Sequence, residues 1–200
     1  MKSHRFISRI NCLSGLPLLW LWLLSGLAMP VMAAKISKQT NEASGLHSWV
    51  AESEGFSIEL IQVLPDFIRA IYMSHDFPKA EIDEIAGNCV FGTVIKNTSD
   101  QVLTYDVSEW YYTDTNGKKY PVKTKTQWLE QWRKAGVTFS WTLLPDKGSF
   151  YVGDWQQGFT TIKLPRESKF TLTYKWTLDG KPYSDDFEGL ICAPEDIAEK

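Results

Sequence analysis

Between Cys89 and Cys192 apolar side chains recur at every second residue in short runs, and turn-forming pairs separate the runs about every ten residues. An alternating run buries only one face. It must therefore lie against a second layer, and many such runs build antiparallel sheets packed face to face. The last hairpin is the clearest case. Phe170, Leu172, Tyr174 and Trp176 alternate with Thr171, Thr173, Lys175 and Thr177, and Asp179-Gly180 turns the chain into a strand over 182–192. Asn116-Gly117 marks another hairpin, in which two positive φ angles join a strand ending at Tyr112 to one over 119–122. Further strands are expected over 56–63, 90–96, 102–112, 137–143, 149–152 and 159–164.

Three short helices are also expected, two before this region and one within it. Pro65 suits a first helical position, Asp66 favours the positive helix end, and Phe67, Ile68, Ile71 and Tyr72 form one stripe, so a helix is expected over 65–74. Pro78 opens a second, with Ile82, Ile85 and Ala86 inward and Gly87-Asn88 as a left-handed stop. Thr124 and Gln127 have capping-box spacing before a helix over 127–135, and Gly136 ends it. The strand, Asn97-Thr98-Ser99-Asp100 turn and strand over 90–107 resemble immunoglobulin-like accessory modules of exported bacterial proteins. The expected fold is thus mainly β: an immunoglobulin-like antiparallel β-sandwich with a short N-terminal helical hairpin and one inserted short helix.

The N-terminus points to export. Lys2, Arg5 and Arg9 precede an uncharged apolar run that ends at Val31-Met32-Ala33-Ala34, which reads as a signal peptide over 1–33. The expected location is exported and periplasmic. The alternative is membrane anchoring by the uncleaved segment, since residues 12–34 lack charge over a bilayer-spanning length. The remaining organisation reads as a flexible lead segment over 34–55, a strand plus helical hairpin over 56–88, the sandwich over 89–194 and a polar tail over 195–200. Cys12 lies in the export segment, so Cys89 and Cys192 are left to pair in an oxidising compartment.

Charge and motif content narrow the function. Without residues 1–33 the chain keeps 18 Lys+Arg against 24 Asp+Glu, a net charge of −6 that repels phosphate backbones and excludes nucleic acid as a partner. Nucleophilic catalysis would need a base, and the exported part offers only His47 and His75. Asp83-Glu84 reads as a solvated helix face, and Asp185 and Asp186, adjacent on a strand, point to opposite faces. No cofactor is expected, with copper as the alternative, because Met73 and His75 combine a thioether with an imidazole.

Tryptophan is the remaining signal. Trp128 and Trp132, one turn apart on a short polar helix, and Trp155, between Asp154 and Gln156, are the candidate binding surface, with Trp128 expected to be partly exposed. The function expected is an exported, non-catalytic interaction or accessory module with an exported protein partner. Alternatives are a periplasmic copper-binding accessory protein and a glycan-binding module.

Overall fold

The computed structural model describes residues 34–197. The expected signal or anchor segment and Cys12 lie outside these residues. No helix among the described residues is long and apolar enough to cross a membrane. In chain order the elements are β1 (Lys35–Thr40), β2 (His47–Ser53), β3 (Phe56–Val63), α1 (Pro65–Met73), α2 (Lys79–Gly87), β4 (Cys89–Asn97) and β5 (Leu103–Asp106). They continue with β6 (Tyr111–Asp114), β7 (Lys119–Pro121), α3 (Lys125–Lys134), β8 (Lys147–Phe150), β9 (Trp155–Ile162), β10 (Lys169–Leu178) and β11 (Lys181–Ile191).

The protein is mainly β, with two antiparallel sheets. One sheet has the order β1-β2-β3-β4-β9; in the other, β10 pairs with β11 on one side and with β5 and β6 on the other, while β8 and β7 extend outward from these. The inner faces meet in an apolar core that includes Trp49, Phe56, Leu60, Phe91, Ile95, Tyr174, Trp176 and Phe187. A second apolar cluster lies on the opposite face of the five-stranded sheet. There Val63 and Val90 meet Ile68, Tyr72, Phe77, Ile82, Ile85, Trp128 and Trp132 from the helical layer. With both faces partly covered, β3 and β4 place apolar residues such as Ile61, Val63, Val90 and Val94 on the outer face as well as the inner one, which is why their sequence alternates only loosely.

Residues 35–53, read from the sequence as a flexible lead, form β1 and β2. Asn41 closes their hairpin by accepting from the Ala43 and Ser44 N–H groups, both at 3.0 Å. Glu54 and Gly55, with φ of 42° and 75°, join β2 to β3 as a tight turn. Trp49 and Ala51 then reach the inter-sheet core, so pairing and burial order a segment whose own composition is polar.

Four other local expectations change. The single strand over 102–112 is split by a 3-10 turn at Val107–Glu109, where Asp106 Oδ1 accepts from the Ser108 N–H at 2.9 Å, so β5 and β6 pair with different halves of β10. The 137–143 strand reduces to one bridge, Leu143 to Phe159. Val137 and Phe139 instead turn toward the helical cluster. Asn88 has φ −81° and Gly87 is not left-handed, so α2 ends directly into β4. At 114–118 only Gly117 has positive φ, because Asp114 Oδ1 holds the turn through the Asn116 and Lys118 N–H groups, each at 2.9 Å.

Candidate functional site

The structure divides the three candidate tryptophans. Trp128 and Trp132 are each only 1% exposed, against the expectation of a partly open Trp128. A helix with one covered face could not bury both rings, but α3 is covered on two sides. The Trp128 indole N–H donates to Thr161 Oγ1 on β9 at 3.0 Å, and the Lys123 ammonium lies 3.3 Å from its ring centroid. Trp132 meets Tyr72 and Phe77 on the helical hairpin, at ring separations of 5.4 and 5.0 Å. Burial beneath this layer lowers the Lys123 pKa, despite the opposing pull of Glu84 and Glu81. These rings are structural.

Trp155 is 59% exposed, and Trp141, which the sequence did not single out, is 80% exposed. Strand alternation puts Trp155, Gln157 and Phe159 on the face of β9 turned away from the inter-sheet core, beside Lys96, Val94 and Gly92 of β4. The helical layer covers only part of that face. Ile71, Trp141 and Thr142 wall an open trough of about 420 Å³ over Ile61, Gly92 and Gln157. A second hollow of about 300 Å³, lined by residues such as Gln39, Asn41, His47 and Ser48, shares Ile61 with it. Gln39, Ser48, Ile61, Gly92 and Phe159 stand in one cross-strand row from β1 to β9, so both hollows follow a line running across the sheet.

The segment that carries Trp141 is held on both sides. Thr142 shares a 2.6 Å hydrogen bond between its hydroxyl and that of Tyr72, and its carbonyl accepts from the Phe159 N–H at 2.7 Å. The Leu144 N–H donates to the Phe159 carbonyl at 3.0 Å. Gly158 permits this approach, since a Cβ there would fall 2.3 Å from the Leu144 nitrogen. Burial pushes the Tyr72 hydroxyl up to about 12, so it stays a neutral hydrogen-bonding group. At the other end of the row His47 bonds Thr40 at 2.9 Å, and burial, aided by Lys38, lowers its pKa and favours the uncharged ring.

The turn before Trp155 is also fixed. Asn97, fully buried, donates its amide to the carbonyls of Gln101, Phe150 and Tyr151 and accepts from the Ser99 N–H and hydroxyl. Its own N–H reaches the Asp154 carbonyl at 3.0 Å. The Asn97-Thr98-Ser99 turn expected from the sequence thus also anchors the connection from β8 in one sheet to β9 in the other.

Met73 and His75 occupy different surroundings at the end of α1. Met73 is 64% exposed and shares a hollow with Arg69 and Lys79, whereas the His75 ring packs on Phe139 at 4.3 Å. Among the described residues no group of three or more His, Cys, Asp or Glu side chains is placed to hold a metal ion. Cys89 and Cys192 meet at disulfide distance, with Cα atoms 5.2 Å apart, tying β4 to the chain just after β11.

The sequence matches no family model and no curated protein. Among solved structures the chain has a weak similarity to the crystal structure of the yjhA protein from Bacillus subtilis, at 12% identity and a TM-score of 0.34 over 78% of this chain and 94% of that one. A likeness that distant carries no argument about fold or function.

Proposed function

We propose that the protein is an exported, periplasmic, non-catalytic binding module built on an immunoglobulin-like β-sandwich, with residues 1–33 as its signal peptide. The contact surface is the uncovered face of the β1-β2-β3-β4-β9 sheet. The supporting observation is the presentation of Trp141 and Trp155, both largely exposed, on segments anchored by hydrogen bonds to buried side chains. Aromatic side chains carried on an anchored backbone lose less freedom than those on a mobile loop when a partner covers them, which makes them efficient contact residues. The disulfide-distance cysteine pair is compatible with an oxidising compartment.

A photo-cross-linking amino acid at position 141 or 155 tests this reading in cells that export the protein. A specific adduct is expected at those positions and not at position 116, in the remote β6–β7 turn. Equal labelling at all three positions, or none at 141 and 155, would count against the module.

A further inference from the structure

We propose that the trough across the five-stranded sheet binds a neutral oligosaccharide, with one sugar ring stacked on Trp141 and the chain running across the strands toward β1. This inference rests on the binding-module reading and assigns its partner. Five strands spaced about 4.8 Å apart give the row from β1 to β9 a width of about 19 Å, room for a short oligomer of rings rather than one small molecule.

The lining supplies the chemistry for sugars. Trp141, Phe159 and Ile61 give flat or apolar contact, while Gln39, Ser48 and Gln157 give amides and hydroxyls, groups that both donate and accept as sugar hydroxyls do. Neither hollow is lined by lysine or arginine, and Glu59 is the single carboxylate. Such a surface is matched in charge to an uncharged ligand. It offers nothing to a phosphate or an acidic polymer. A protein strand is also a poor fit within the trough, which crosses strands whose backbone groups already pair with one another; strand addition would use the sheet edges at β1 or β9 and leave the trough unfilled.

Gly92 keeps the floor open. A Cβ at this position would lie 3.7 Å from that of Ile61, an ordinary contact, so a larger side chain could fill the trough without backbone strain. The Tyr72 to Thr142 hydrogen bond makes Tyr72 a positioning residue for Trp141, although it lies beneath the surface.

The test is calorimetric titration of the exported protein with cellohexaose, chitohexaose, xylohexaose, mannohexaose and maltohexaose, with an oligogalacturonate as the charged control. Saturable binding is expected to at least one neutral hexasaccharide, weakening on shortening to the disaccharide and insensitive to salt. Trp141→Ala and Gly92→Val should each weaken it at least tenfold with little change in melting temperature. Tyr72→Phe should weaken it several-fold, whereas a shift in melting temperature without change in affinity would remove the positioning role. Preference for the acidic control, or heat from none of the neutral sugars at about 10 mM, overturns the proposal. A protein adduct from the cross-linker at position 141 with a silent sugar panel refutes the sugar and leaves the module. A silent panel with no adduct refutes both.

Discussion

Trp128→Ala tests the layered architecture most directly. Trp128 is 1% exposed, its ring centroid lies 5.7 Å from that of Trp132, and its N–H donates to the hydroxyl of Thr161, itself 2% exposed. Truncation would remove the ring contacts and open a cavity between α3 and β9, at a typical cost of about 3–5 kcal/mol for a buried aromatic. Losing the donor to a buried hydroxyl pushes the expected value toward the upper end. For a domain of this size each kcal/mol moves the midpoint by about 2–4 °C, so the melting temperature should fall by roughly 6–20 °C. Trp141→Ala supplies the contrast, since truncating an exposed side chain should stay within about 0.5 kcal/mol. Trp128→Phe retains most of the packing and reports the hydrogen bond. Urea unfolding followed by circular dichroism measures all three. A loss below about 1.5 kcal/mol for Trp128→Ala would mean that α3 is not clamped between sheet and helical hairpin.

Four further outcomes are expected. Asn97→Ala should cost about 2–4 kcal/mol in urea unfolding, because it leaves several buried groups of the β8–β9 connection without partners. Mass spectrometry of non-reduced protein should show Cys89 and Cys192 joined; closing a loop of separation 103 contributes about 4–5 kcal/mol in the chain-entropy model, lost in Cys89→Ala. Burial tends to raise the Glu195 pKa, but hydrogen bonds from Arg69 and Arg166 outweigh it and hold the carboxyl below its ordinary 4.5. Its contribution is thus present above pH 4.5 and is lost as acid protonates it, so Glu195→Gln should lower the melting temperature at neutral and alkaline pH and flatten the acid limb of the profile, where the two proteins converge. Copper titration of His75→Ala should match the parent protein, since His75 packs on Phe139 while Met73 lines a separate hollow with Arg69, Lys79 and Asp83; a lost copper equivalent would support the Met73–His75 site.

What the sequence revealed is what local chemistry controls. The β10–β11 hairpin was legible because its alternation and Asp179-Gly180 turn need no outside information, and both turn residues take positive φ. The capping box at Thr124 and Gln127 was legible for the same reason. The β1–β2 hairpin was not, because its order comes from pairing with β3 and from the few residues that reach the core. Asn41 and Gly45 in its own turn, and Gly55 after Glu54 in the next, were the available signals. The burial of Trp128 and Trp132 depends on α3 having neighbours on two sides, which periodicity along one helix does not encode. Trp141 sits in an irregular segment, where exposure follows from the bond between Tyr72 and Thr142, distant in sequence. The proposed site was therefore legible only through Trp155.

The pairing of β10 with β5, β6 and β11 has a consequence for how the chain acquires its structure during synthesis. The first four strands of one sheet adjoin one another in sequence order and can zip as they emerge. The other sheet has no centre until residues 169–178 are made, since β5 and β6 are joined through that strand and not to each other. A ribosome that stops before residue 169 would release half a sandwich, with the inward rings of Phe56 and Phe91 uncovered. Such a fragment invites degradation. Completion of the chain and closure of the core are thus nearly one event, and truncated products are marked by their own exposed interior.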